Sequence, residues 1–85
     1  MKIVFTNHAL GKFDHPDIKK FNLKEKDIRN ALGNPDYHGE ELLRGAEFIL
    51  KSLDPKHNLR VIYTLKSSII TVITFYPSRK ARYEK

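Results

Sequence analysis

Arg60 stands in the middle of an apolar run, Leu59-Arg60-Val61-Ile62-Tyr63-Thr64-Leu65. A guanidinium in that setting needs a partner, either an ion pair or a bound anion. Further along, Ser78-Arg79-Lys80-Ala81-Arg82-Tyr83 sets three cations and a phenol within six positions. Arginine presents a planar fork that meets phosphate bidentately and stays charged. Tyr83 can stack on a base or donate a proton, and Lys51 adds a cation from a neighbouring segment. Four histidines, His8, His15, His38 and His57, bring groups that titrate near neutrality, with an unperturbed pKa of about 6.5. They lack metal-ligand spacing, which argues against zinc, and the reading requires no metal and no cofactor. No phosphate-cradling glycine loop and no serine or cysteine nucleophile signature is present. Together these residues can hold a polyanion and move protons on it. Each also has a plainer role: His8 as a helix-start histidine, Lys51 as a solvated strand lysine, the basic tail as a solubilising end.

Charge supports an acidic partner. Sixteen Lys and Arg against ten Asp and Glu give a formal +6 over 85 residues. Such a balance suits nucleic acid or an acidic protein. Distribution sharpens the point, because from Lys56 onward Lys56, Arg60, Lys66, Arg79, Lys80, Arg82 and Lys85 face Glu84 alone. A chain of 85 residues fits one domain, 1–85. Absence of cysteine excludes disulfides and thiolate chemistry and suits a reducing cytoplasm. Met1 to Phe5 is too short an apolar run for a signal peptide, and no segment approaches a membrane span, so a soluble cytoplasmic protein is expected.

The elements that must position these side chains follow from periodicity. Lys2 to Phe5 reads as a short strand. Thr6 or Asn7 caps a helix starting at His8, weakened by Gly11 and interrupted or restarted by Pro16. Asn22 with Glu25 three positions on reads as a capping box for a second helix running to about Leu32. Asp36 to Glu41 is a short polar edge strand, and Ala46 to Leu53 alternates as a third. Leu59 to Leu65 and Ile69 to Tyr76 form a hairpin about Ser67-Ser68, pairing Lys66 with Ile69 and Arg60 with Phe75. Pro77 is expected to stop the last strand. Pairing Leu50 with Tyr63 and Phe48 with Leu65 would gather the apolar side chains on one face. Lys51, Arg60, Thr64 and Thr71 would then lie on the other, among Ile49, Ile62, Ile73 and Phe75. The expected fold class is α+β, βααββββ, a mostly antiparallel sheet with two helices packed on one face.

That order, with Asn7-His8-Ala9, Asp27-Ile28 to Asn34-Pro35, Leu59-Arg60-Val61-Ile62-Tyr63 and Thr74-Phe75-Tyr76-Pro77 through Arg79 to Tyr83, resembles the RelE/ParE toxin superfamily. Within it the chain is most similar to the branch containing BrnT, grouped with barnase, EndoU and the colicin ribonucleases. The resemblance covers nearly the whole chain. It implies a RelE-like fold and metal-independent RNA cleavage by the RNA's own 2′-hydroxyl, leaving 2′,3′-cyclic phosphate ends. By the same resemblance Arg60, Arg79, Tyr83 and His8 would serve catalysis, and Lys51, Lys80 and Arg82 would bind RNA, free or as ribosome-bound mRNA. An acidic protein antitoxin is the implied partner. Two other functions share the pattern: a ParE-like inhibitor of a topoisomerase, and a nucleic-acid-binding module without catalysis.

Overall fold

The computed structural model describes residues 2–41 and 45–80. In chain order they form β1 (Lys2–Phe5), α1 (Asn7–Gly11), a single 3-10 turn (Lys12–Asp14), α2 (Pro16–Lys20), α3 (Glu25–Gly33), β2 (Tyr37–Glu40), β3 (Glu47–Asp54), β4 (His57–Lys66) and β5 (Ile69–Arg79). The five strands make one sheet in the order β1-β5-β4-β3-β2. All pairs are antiparallel except β1 with β5. The described residues are thus α+β, with three short helices where two were expected. No helix among the described residues is long and apolar enough to cross a membrane.

Local chemistry explains the extra helix. The Thr6 hydroxyl accepts from the Ala9 N–H and caps α1. Pro16 cannot continue that helix but suits the first position of a new one, and the His15 ring caps it by accepting from the Asp17 N–H. Asn22 then takes a left-handed backbone, φ 55°, and the Leu23 N–H returns to the Ile18 carbonyl, closing α2. Asn22 therefore ends one helix instead of starting the next. Lys24 is the cap of α3, and its N–H is held by Asp27 Oδ2 at 2.9 Å. The capping pair lies two residues further along than the Asn22–Glu25 spacing suggested.

The core lies between the helices and one sheet face. Ala9, Ile18, Leu23, Ile28 and Ala31 pack on Ile49, Leu59, Val61, Tyr63, Ile70, Val72 and Phe75. Two register features settle which strand residues join it. Leu50 pairs with Arg60 and Phe48 with Ile62, not with Tyr63 and Leu65. Ile49 and Lys51 therefore face the helices, while Phe48 and Leu50 face away. On β5 the register slips between Ile62 and Tyr63, so that Ile62 pairs with Thr74 and Tyr63 with Val72. The extra residue, Ile73, is a bulge that flips the phase of everything after it. Phe75 consequently turns into the core, fully buried, and Tyr76 takes the place opposite Arg60.

Pro77 does not end β5. The Lys80 N–H bonds to the Lys56 carbonyl, so the alternation makes Leu59–Pro77 a pair without ladder hydrogen bonds. The missing N–H of Pro77 thus falls on the outer edge, which β1 does not reach because it spans only Ile69 to Val72.

Candidate functional site

Two groups of chemically competent side chains emerge, on opposite faces of the sheet. The first is built on the β3–β4 turn. Asp54-Pro55-Lys56-His57 closes the hairpin tightly, with His57 already inside β4 and not in a loop. Asp54 Oδ1 accepts from the Lys56 N–H at 2.7 Å and the His57 N–H at 2.6 Å. The same carboxylate holds His57 Nδ1, at 3.0 Å and 3.1 Å from its two oxygens. Partial desolvation pulls the Asp54 carboxyl up, but these donors outweigh it and leave its pKa below the usual carboxylate value. An ionised carboxylate only accepts, so Nδ1 carries the hydrogen and Nε2 keeps the lone pair when the ring is neutral. The ring meets Phe21 edge-on at 5.2 Å, which restrains it from the helix side. Directly opposite in register stands Arg79, exposed, on the same face. Cross-strand neighbours of this kind sit about 5 Å apart at Cβ. An oriented imidazole beside an arginine can take a proton while a cation offsets charge on a phosphorus centre.

The second group crosses the face away from the helices. Tyr37 pairs with Leu50, Leu50 with Arg60, and Arg60 with Tyr76, so the four side chains make one transverse row. The Arg60 guanidinium lies 3.8 Å over the Phe48 ring and donates from Nη2 to Glu41 Oε2 at 2.9 Å. Its Nε is buried without a hydrogen-bond partner. Both side chains of this ion pair are largely enclosed, 24% and 16% exposed. Tyr37 leans on Phe48, ring centres 5.9 Å apart. Lys12 reaches round the β5 edge to bring its ammonium 5.4 Å from the Tyr76 ring. His8 lies one turn before Lys12 on the same side of α1, exposed.

The residues singled out by sequence are therefore distributed. Arg60 faces away from the helices and is held by Glu41, whereas Arg79 faces them; strand alternation parts the two arginines that the resemblance would place together in catalysis. Lys51 also points to the helix side, opposite to its expected face, with Nζ 3.6 Å from Asp36 Oδ1. Lys80 follows β5 and donates to Ser52 Oγ at 2.8 Å. The Ser52 N–H in turn donates to Asp36 Oδ2 at 2.7 Å. That hydrogen bond, aided by Lys51 and Lys80 and opposed by partial desolvation, lowers the Asp36 pKa. His8 is exposed on α1. Arg82 and Tyr83 lie outside the described residues.

The pairing of His57 with Asp54 is not evident from composition, because Asp54-Pro55-Lys56-His57-Asn58 is made of turn-forming residues between two strands. A usable signal was there: Asp followed by Pro and, three positions on, His places both side chains on one side of a type I turn. Tyr76 reaches the outer face only because of the Ile73 bulge, which hydropathy does not reveal. A third polar group, His38 Nε2 with Glu47 Oε1 and the Tyr63 hydroxyl at 3.5 Å from that oxygen, braces the β2 edge. Burial, then the Glu47 carboxylate, raises the Tyr63 pKa. Among the described residues no group of three or more His, Cys, Asp or Glu is placed to hold a metal ion. In comparisons with known proteins the chain matches no family model, no curated protein and no solved structure.

Proposed function

We propose that this protein is a metal-independent, toxin-like endoribonuclease, and that His57, oriented by Asp54 and adjoining Arg79, is its acid–base centre. The observation that carries the reading is the Asp54–His57 contact beside a register-paired arginine. His57 Nε2 takes the 2′-hydroxyl proton as the 2′-oxygen bonds to phosphorus. Arg79 offsets the added negative charge. The bond to the 5′-oxygen then breaks, and that oxygen leaves with a returned proton, giving a 2′,3′-cyclic phosphate and a 5′-hydroxyl. Supporting features are the net charge of +6, the basic run from Lys56 to Lys80, and the resemblance to RelE/ParE toxins. An acidic protein that neutralises the basic surface is the partner this reading implies.

The test is incubation of purified protein with RNA in excess chelator. Cleavage leaving cyclic phosphate ends is expected. Asp54 is a positioning residue, so Asp54→Asn should lower the rate and change the pH profile, whereas His57→Ala should cost about 10²–10⁴-fold at every pH. A folded His57→Ala protein that cuts as fast as the parent removes the assignment.

A further inference from the structure

The row across the sheet face away from the helices has no part in the acid–base centre, which lies on the opposite face. Its four members alternate ring, aliphatic, guanidinium and ring: Tyr37, Leu50, Arg60, Tyr76. The outer two are among the exposed large side chains of the molecule, Tyr37 at 57% and Tyr76 at 36%. Strands lie about 4.8 Å apart, so three strand steps separate the two phenols by roughly 14 Å. From its place in the row Arg60 brings its guanidinium 3.8 Å over the Phe48 ring and is anchored by Glu41, so it is held in place before any ligand arrives. Lys12 adds a cation at the Tyr76 end.

We infer that this row is a stacking platform for unpaired bases, accepting a short single-stranded RNA segment that runs across the strands with one base on Tyr37 and another on Tyr76. The inference rests on the reading of the chain as an RNA-directed protein and adds the substrate class: single-stranded, not duplex. Every base has a π-face, so aromatic rings read single strands with little sequence preference. A duplex keeps its bases stacked inside and offers these rings nothing. Arg60 has its Nη2 bonded to Glu41, so it contributes as a planar surface next to the rings, and Lys12 supplies the contact to phosphate. Lys12 at the Tyr76 end and the chain's formal net charge of +6 favour a polyanion over an apolar partner. Gly39 is part of the construction: a Cβ there would meet the Phe48 ring at 2.7 Å, so only glycine lets Phe48 lie where Arg60 can rest on it.

Binding and cleavage are separated by using the His57→Ala protein with 5′-labelled RNA oligomers of two to eight nucleotides and with a blunt RNA duplex. Fluorescence anisotropy should show affinity rising steeply until the oligomer spans the row, and no comparable affinity for the duplex. Tyr37→Ala and Tyr76→Ala should each weaken binding by at least about fivefold, while the corresponding Phe variants bind as the parent. Both phenols are exposed, and thermal melts check that the variants stay folded. Lys12→Ala should flatten the salt dependence, a change the Tyr37 variant should not produce. The inference fails if both alanine variants bind like the parent, or if duplex binds as tightly as single strand. It also fails if RNA does not bind and an acidic peptide binds with the same dependence on Tyr37 and Tyr76, which would assign the row to a protein partner. Row-dependent binding by a protein that never cleaves would sink the nuclease and leave the platform standing; cleavage that ignores the row would do the reverse.

Discussion

Arg60 illustrates how one charge inside an apolar strand is accommodated. A guanidinium taken from water must regain hydrogen bonds and a counter-charge, and here it finds Glu41 for one nitrogen and the Phe48 ring for its face. Arg60→Leu keeps the bulk but removes the group that Glu41 and Phe48 share. We expect it to lower stability by about 1–3 kcal/mol, read as a reduced urea midpoint with unchanged slope. A leucine protein as stable as the parent would show that the pair contributes nothing net. The need for a partner was legible from Arg60 alone. Its identity was not, because Glu41 lies just past the end of β2 and comes within reach only when β2, β3 and β4 are in register. The pairing of His57 with Asp54 is the opposite case, local in sequence and hidden only because a turn-forming segment looks structureless until its hydrogen bonds are drawn.

At the scale of elements, two tight features carry testable strain. Ser67 and Ser68 both have positive φ, 50° and 64°, which makes the β4–β5 connection a mirror-image type I turn. Serine adopts that conformation at a cost that asparagine and glycine avoid. Replacing the pair by Asn-Gly should raise stability by about 1 kcal/mol, seen as a higher melting temperature. No gain, or a loss, would mean the serines make compensating bonds. Gly39→Ala should act the other way, costing about 1–3 kcal/mol as the Phe48 ring is driven from its seat between strand and guanidinium. Crystal or solution structures of that variant should show Phe48 and Arg60 displaced together. Strand existence was readable from the runs of Val, Ile, Thr and aromatic residues. Strand facing was not. Alternation alone put Phe75 outside, and it took the Ile73 bulge, pinned by the Thr6 hydroxyl donating to its carbonyl at 3.1 Å, to turn that ring inward. The register of β3 failed for a similar reason: Phe48, Ile49 and Leu50 are all apolar, so either face can be argued from hydropathy.

For the molecule as a whole, acid is the informative stress. Asp36 and Asp54 both have pKa values below normal, each through backbone N–H donors that exist only in the folded chain. A carboxyl whose folded pKa is depressed adds stability above its unfolded value, about 3.9, and that contribution is lost as pH falls through the folded value. Unfolding free energy should therefore drop steadily below about pH 4, and Asp36→Asn and Asp54→Asn should each make the drop shallower. An unchanged acid limb in both variants would locate the sensitivity elsewhere. The parallel pairing of β1 with β5 has a further meaning for how this protein is made. Lys2 finds Ile69 and Phe5 finds Val72, so β1 has no sheet neighbour until β5, some sixty residues later in the sequence, is available to it. No intermediate that lacks β5 can complete the sheet, and α1 is capped by a threonine whose hydroxyl must still find Ile73.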